Sequence, residues 1–423
     1  MDLIGFLYGF GVLQSILLAG LLLFIRSGNR LANAFMAGLV VVMGLNLLQS
    51  WLIRIGFYLE HPSFGLLIPP LDFAWGPLLY LYAYSLTSRS VNWSHALHFL
   101  PTVFMLTSTW KFHTIPEEHQ RNLLSYLWSQ REDIQLIPAV ANAIPSFWRH
   151  WIDLHLQGSF FALHFGTYCI LVLRQIRNHN QLLQRHFSSL EKMNLKWLGQ
   201  LTLMCLLFLL VFVVFNRSQL LLVGHFDVNA LTPSAPSILQ VLLIYVIAMA
   251  AIFQPSLIRG ISAATLDGEE SPKPSPDSVE TEEKKVTESG SAPPAPQETT
   301  KYERSGLSLE DAQAFKILLM EKMQEEQLYL DCELTLLDLA KHTGLTAHQV
   351  SQVINSQMNQ NFFSFVNNYR IQMAKDLMSQ PETQNMPIVE LAVEVGFKSK
   401  SSFYDAFKKA TQMTPTQFKK SLS

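Results

Sequence analysis

Two hydrophobic rhythms divide the chain. Residues 1–258 are dominated by long uncharged apolar runs separated by short polar gaps, while apolar positions three and four apart recur from about residue 308 onward. A helix needs about 20 apolar residues to cross a bilayer core. Leu3–Ile25, Leu31–Ile53, Leu154–Leu173, Trp197–Asn216 and Ser237–Ile258 meet that need and hold no charge. Phe73–Ser88 does so with Asp72 at its outer mouth, and Trp93–Trp110 does so least regularly, because it holds His95, His98 and Pro101. In lipid every backbone polar group needs a partner inside its own segment, so all seven are predicted to be helices.

The polar gaps set an orientation. The start lacks a basic stretch and a small-residue cleavage site, so an uncleaved first helix with its N-terminus outside is expected. Seven crossings then bring the C-terminus inside. Inside segments carry Arg26, Arg30, Arg89, Arg174, Arg177, Arg185, Lys192, Lys196 and Arg259 against Glu191, whereas acids outnumber cations outside. That is the bias of cytoplasmic loops. Trp51, Trp93, Trp110, Trp151 and Trp197 fall near span ends, as an aromatic belt does.

Two features of this half are candidates for sensing. In the outer loop from Lys111 to His150, Arg121–Arg131 and Ile134–Ile144 read either as short amphipathic helices on the membrane surface or as solvated connectors. Asn46, Gln49, Asp72, His98, His155, His164 and Tyr168 are polar within or beside the spans. Such residues either serve function or hydrogen-bond between helices, with Gly38, Gly44 and Gly166 allowing close approach.

Residues 259–306 change character. Pro272, Pro274, Pro276, Pro293, Pro294 and Pro296 alternate with Ser and Glu, and no aromatic residue appears before Tyr302. A segment of this composition cannot bury enough surface to fold, so it reads as a cytoplasmic linker. As a flexible chain it would span about 35–40 Å on average. That length suits a tether, and it also suits a protease target.

The last part spells one unit twice. Leu339, Ala340, Gly344, Thr346, Val350 and Ile354 are echoed by Leu391, Ala392, Gly396, Ser399, Phe403 and Phe407. The small alanines let two helices cross closely, the glycines supply the turn, and Thr346 and Ser399 cap the second helix. Gln349, three residues after Thr346, completes a capping box. Val350, Val353 and Ile354 then face inward, opposite His348, Ser351, Gln352 and Asn355. In the second unit the outward positions are Lys400, Ser401, Tyr404, Asp405 and Lys408. This is a doubled helix-turn-helix, with a first unit at about 335–356 and a second at about 387–410. The linking helix, 362–379, is about 25 Å long by the rise per residue. It holds two reading helices about one DNA turn apart. Upstream, Ser308 to Asp311 looks like a capped helix start, with Phe315, Leu318, Leu319 and Met323 as core.

Charge and composition change the picture only in detail. From Gly396 onward six lysines face Asp405 alone, whereas the first unit has little beyond Lys341, so phosphate attraction falls mainly to the second unit. Thr346, Lys398, Lys408 and Lys409 are the candidate phosphate contacts. Lys408 and Lys409 also fit a solvated face, and Asp405 fits either a cytosine contact or a pair with Lys409. The cysteines, Cys169, Cys205 and Cys332, make no metal or disulfide framework. His150 and His155 are five apart, which does not suit a metal pair on one helix face. No nucleophile grouping or phosphate-cradling loop stands out, so no enzyme, cofactor or metal site is predicted.

The run Tyr369, Arg370, Ile371, Ala374, Leu377, then Ile388, Leu391, Ala392, Gly396, Phe397, Ser399, Ser401, Phe403, Phe407, Lys408, Lys409, then Met413, Thr414, Pro415, Phe418 resembles the AraC/XylS family of bacterial transcription regulators. The resemblance covers about 310–423. With the membrane half, the chain looks like the subgroup that replaces a soluble sensor by a multi-span region. The resemblance implies base contacts from His348, Ser351, Gln352, Lys400, Ser401 and Tyr404. It also implies promoter DNA and RNA polymerase as partners. Asn359 and Gln412 stand where the family usually has glycine. A left-handed backbone suits Asn better than Gln, so the turn before Thr414 is expected to be strained or differently shaped.

The expected architecture is therefore all-α, with three parts. Residues 1–258 form a seven-helix transmembrane sensor bundle, 259–306 a disordered linker, and 307–423 a double helix-turn-helix domain. The expected function is a multi-pass regulator of the bacterial inner membrane that couples a small-molecule or envelope signal to promoter binding, with tethered domains pairing as a homodimer. Two alternatives stay open: a transporter or channel with a regulatory DNA-binding domain, and a latent factor released by cleavage of the linker.

Overall fold

The structure, a computed structural model, describes residues 3–24, 29–87, 91–129, 159–190, 195–222, 234–252, 307–384 and 386–422. The predicted linker, the second half of the outer loop and His155 lie outside them. The protein is all-α: among the described residues the regular elements are helices, with one isolated antiparallel bridge between Phe187 and Thr335. The chain divides into two compact units, Met1–Gln181 with Lys192–Ala263, and Leu182–Glu191 with Ala264–Ser423.

The first unit begins with α1 (Leu3–Phe24) and α2 (Arg30–Arg54). Asn29 fixes where α2 starts, because its side chain accepts the Leu31 and Ala32 N–H groups at 3.0 and 3.1 Å. Its amide also donates to the Ser85 carbonyl at 2.6 Å, which ties that start to the end of α3 (Trp75–Thr87). α1 and α2 pack closely because Gly44 has no side chain. A Cβ there would sit 1.9 Å from Ser15 Oγ. Next come α4 (Leu100–Thr109), α5 (Glu117–Ser129), α6 (Ser159–His186), α7 (Lys196–Leu222) and α8 (Ser234–Ile252).

Four helical runs of the described residues are long and apolar enough to cross a membrane: Ile4–Phe24, Arg30–Arg54, Pro62–Thr87 and Lys196–Val214. Trp93–Trp110 is not one regular α-helix. A 3-10 stretch, Trp93–Phe99, leads into the ten-residue α4, and a second 3-10 stretch follows to Thr114. Pro101 lies in the first turn of α4, where its missing N–H has no helical partner to lose. In the outer loop, α5 begins at Glu117, ahead of the predicted Arg121, and buries Leu123 and Leu124 against Tyr58, Leu66 and Phe112.

Four of the polar residues of this half pair with one another, whereas Gln49 Oε1 and both ring nitrogens of His164 are buried without a hydrogen-bond partner. Asn46 Nδ2 donates to Asp72 Oδ1 at 3.0 Å, and His98 Nδ1 lies 2.9 Å from the Tyr168 hydroxyl. Of the two readings of these residues, interhelical hydrogen bonding describes both pairs.

The second unit holds α9 (Leu309–Glu325), α10 (Leu336–Thr343), α11 (Ala347–Gln357), α12 (Phe362–Ser379), α13 (Ile388–Glu394), α14 (Lys400–Thr411) and α15 (Pro415–Leu422). Ser308 caps α9 by accepting the Asp311 N–H at 3.0 Å. Two cores form. One gathers Leu319, Met323, Leu339, Val350, Val353 and Ile354, and the other Leu391, Ala392, Phe397, Phe403 and Phe407. α12 serves both, giving Phe365 and Val366 to the first and Ile371 and Ala374 to the second. Each fully buried Leu, Ile, Val, Phe or Met side chain contributes about 1.5–3 kcal/mol, which is set against the conformational entropy of ordering the short helices.

Candidate nucleic-acid interface

Local chemistry places the first reading helix. Thr335 caps α10, accepting the Asp338 N–H at 3.1 Å while Asp338 accepts the Thr335 N–H at 3.2 Å. α10 stops at Gly344, whose φ of +70° is left-handed, and the Leu345 N–H closes the turn on the Ala340 carbonyl at 3.1 Å. Thr346 restarts the chain. Its hydroxyl accepts the Gln349 N–H at 3.2 Å, and Gln349 Oε1 accepts the Thr346 N–H at 2.9 Å. Thr346 is thus occupied as a cap. Val350, Val353 and Ile354 are fully buried. On the other face His348 is exposed, and Ser351 and Gln352 are half-buried. Ser351 accepts the Asn355 amide at its carbonyl, 2.7 Å away, and at its hydroxyl, 3.3 Å away.

The second unit repeats the construction with different closures. Pro387 precedes α13, the chain turns at Gly396 with φ +87°, and the Phe397 N–H bonds the Ala392 carbonyl at 2.9 Å. Ser399 caps α14, accepting the Ser402 N–H at 3.3 Å. Phe403 and Phe407 are fully buried, which leaves Lys400 and Ser401 exposed and Tyr404 half-buried on the outer face. The Lys400 ammonium lies 5.4 Å from the Tyr404 ring centroid, and the Tyr404 hydroxyl is 2.9 Å from Thr416 Oγ1. Ser401 Oγ is 2.9 Å from Ser399 Oγ.

The candidate phosphate contacts fall into two kinds. Lys408 and Lys409 are exposed near the end of α14. Lys398 is half-buried and ion-paired with Glu333, which precedes the first helix-turn-helix. A phosphate contact from Lys398 would have to replace that carboxylate. Sequence pattern alone did not single out Glu333, because 65 residues separate it from Lys398. Asn359 and Gln412 both adopt the left-handed backbone expected from the glycines they replace, with φ of +50° and +61°. Gln412 keeps the turn shape by donating its N–H to the Lys408 carbonyl at 2.9 Å.

Among the described residues no three His, Cys, Asp or Glu side chains converge as metal ligands would. The two capped turns, each closed by a left-handed glycine and backed by its own core, define a double helix-turn-helix DNA-binding domain.

The profile of a family described as a helix-turn-helix domain matches residues 339–421. Over 88 residues the chain is 33% identical to YdeC, an uncharacterized HTH-type transcriptional regulator of Bacillus subtilis (strain 168), a stretch that is 21% of this chain and 29% of that protein. It is 30% identical over 90 residues to the melibiose operon regulatory protein of Escherichia coli (strain K12), again 21% of this chain and 29% of that protein. The chain thus spans less than a third of the length of these curated relatives. No solved structure matches significantly. The C-terminal part of the chain is an AraC-type DNA-binding domain, as the resemblance implied.

Proposed function

We propose that the protein is a membrane-anchored, sequence-specific transcription regulator, in which a signal at the apolar N-terminal half governs how the cytoplasmic C-terminal domain occupies a promoter. The paired helix-turn-helix geometry carries the DNA-binding half of this reading. The membrane half is supported by what the first unit leaves uncovered. Leu17, Phe24, Leu207 and Leu210 are 63%, 85%, 60% and 59% exposed on α1 and α7. Apolar faces of that extent need lipid or a partner.

In this reading the bundle crosses the membrane seven times with the N-terminus outside, as span parity and the inside cation bias require. Alkaline phosphatase fused after Arg259 is then inactive, and phosphatase fused within the Lys111–His150 loop is active. The reverse pattern would reject the topology.

His348, Ser351, Gln352, Lys400, Ser401 and Tyr404 read bases, while Thr346, Lys398, Lys408 and Lys409 hold phosphates. Base contacts specify and phosphate contacts position. Gln352→Ala is therefore expected to cost about 1–3 kcal/mol on the preferred duplex and to relax choice at one or two base pairs. Lys409→Ala should weaken binding to all duplexes and lower the salt slope by about one unit. Both are measured on selected and scrambled duplexes across a salt series. Equal losses on both duplexes for Gln352→Ala would mean that α11 packs but does not read.

Promoter DNA, RNA polymerase, the bilayer and a second copy of the chain are the partners in this reading. Two tethered domains raise each other's effective concentration at adjacent sites.

A further inference from the structure

α6 does not end where its apolar stretch ends. It continues past Leu173 to His186, and residues 182–191 belong to the same compact unit as the DNA-binding domain. Within that unit the segment docks through a buried polar node. Arg370, in the middle of α12, is 1% exposed and uses every donor of its guanidinium. Nε donates to the Tyr329 carbonyl at 2.6 Å. Nη1 donates to Asn367 Oδ1 at 3.0 Å and the Ser188 carbonyl at 3.3 Å. Nη2 donates to the Asp331 carbonyl at 2.7 Å and the Ser188 hydroxyl at 3.2 Å. Two of these five bonds therefore end on Ser188.

Ser188 is itself 1% exposed. Its N–H and its hydroxyl both donate to the Leu334 carbonyl, at 3.2 and 2.7 Å. Asn367 Nδ2 donates to the Ser188 carbonyl at 3.4 Å, and Asn361 Nδ2 donates to Gln184 Oε1 at 3.2 Å. Leu183 is buried as well, and Phe187 pairs with Thr335.

The place of this node matters. Leu334 and Thr335 lead directly into α10, where Thr335 is the cap that starts the first helix-turn-helix. The Arg370 guanidinium also lies 5.5 Å from the centre of the Phe397 ring, at the turn of the second. One cluster thus touches the entry to the first reading unit, the linking helix and the turn of the second. A buried guanidinium stripped of two acceptors is costly, so loss of the segment has to be felt at the other three acceptors.

We propose that residues 182–190 are a coupling strap, through which the helix bearing the apolar stretch Phe160–Leu173 holds the junction between the two helix-turn-helix units. Displacement of α6 by a signal would pull Ser188 from Arg370 and change how the two reading helices are presented together. The regulatory consequence rests on the function proposed above; the docking itself does not.

Hydrogen exchange on the full-length protein in lipid nanodiscs tests the docking. Peptides covering 182–190 and 328–336 should both exchange at least about tenfold more slowly than unstructured chain. Ser188→Pro removes the N–H and the hydroxyl together, and it should speed both peptides about tenfold while the peptide around 403–407 keeps its protection. Ser188→Ala removes only the hydroxyl and should give the same pattern at a few-fold. Free exchange of 182–190 in the unaltered protein would overturn the strap. So would acceleration confined to its own peptide in both variants.

The same variants on a selected duplex test the consequence. A changed affinity or site preference supports it, and unchanged binding beside a released strap rejects it. Failure of the unaltered protein to bind any duplex would reject the regulator reading and leave the exchange result standing.

Discussion

Gly396→Ala is expected to destabilise the second helix-turn-helix by about 3 kcal/mol or more, enough to uncouple it from the rest of the domain. Two costs add. The φ of +87° is a conformation that L side chains rarely adopt, and a Cβ at Gly396 would sit 2.6 Å from the Tyr329 carbonyl oxygen, 2.8 Å from that of Leu330 and 2.9 Å from Leu330 Cα. All three are backbone atoms, so no rotamer change relieves the clash. Gly344 provides the internal control. Its φ is +70°, but nothing lies within 4 Å of its Cβ position. Gly344→Ala should therefore lose only the left-handed preference, about 1–2 kcal/mol. Urea titration of the two full-length variants, read by proteolysis of the C-terminal region, compares them. Equal losses would mean that the contact between Gly396 and residues 329–330 does not exist.

The second large effect belongs to Arg370. Burial pulls its guanidinium pKa down from the usual arginine range to about 10, against the opposing pull of the nearby Cys332 and Asp331 side chains. It therefore remains a cation throughout the neutral range, held by five hydrogen bonds. Arg370→Met fills much of the volume but removes the guanidinium donors from the buried Tyr329 and Asp331 carbonyls and leaves the Ser188 carbonyl only its weak Asn367 contact, and it should cost about 3–5 kcal/mol. Arg370→Lys should recover less than half of that, because one ammonium cannot reproduce the planar fork that reaches acceptors on both sides. Thermal unfolding followed by helical circular dichroism measures both. A lysine variant as stable as the unaltered protein would show that charge alone matters at this position.

Much of the candidate interface is legible from local sequence because local chemistry builds it. Thr346 with Gln349, Ser399, Ser308 and the two glycines act within three or four residues, so their spacing predicts the caps and turns. The buried faces of α11 and α14 follow from helical periodicity alone. The left-handed turns at Asn359 and Gln412 were legible through the resemblance, because a missing glycine marks the backbone that glycine would have served.

What the sequence concealed is non-local. Nothing around Ser188 distinguishes it from any loop serine, and its partners Leu334, Asn367 and Arg370 lie more than 140 residues away. Arg370 belongs to the motif that carries the resemblance, yet its partners are mainly backbone carbonyls, which leave no side-chain signature. The extension of α6 beyond Leu173 was hidden for a related reason. Apolar counting ends a span at its first cations, here Arg174 and Arg177, although arginine is a good helix former and the helix runs on. Irregular Trp93–Phe99 was signalled only indirectly, by the histidines and Pro101 that interrupt the apolar run.

Flotation of the full-length protein with phospholipid vesicles and labelled duplex DNA tests the central claim most directly. A membrane-anchored DNA-binding regulator carries duplex DNA up the density gradient with the vesicles at low salt and releases it steeply as salt rises, because phosphate contacts depend on counterion release. Protein-free vesicles should leave the DNA behind. Protein that stays at the bottom with lipid present, or vesicle-bound protein that leaves DNA behind at every salt concentration, would contradict the account.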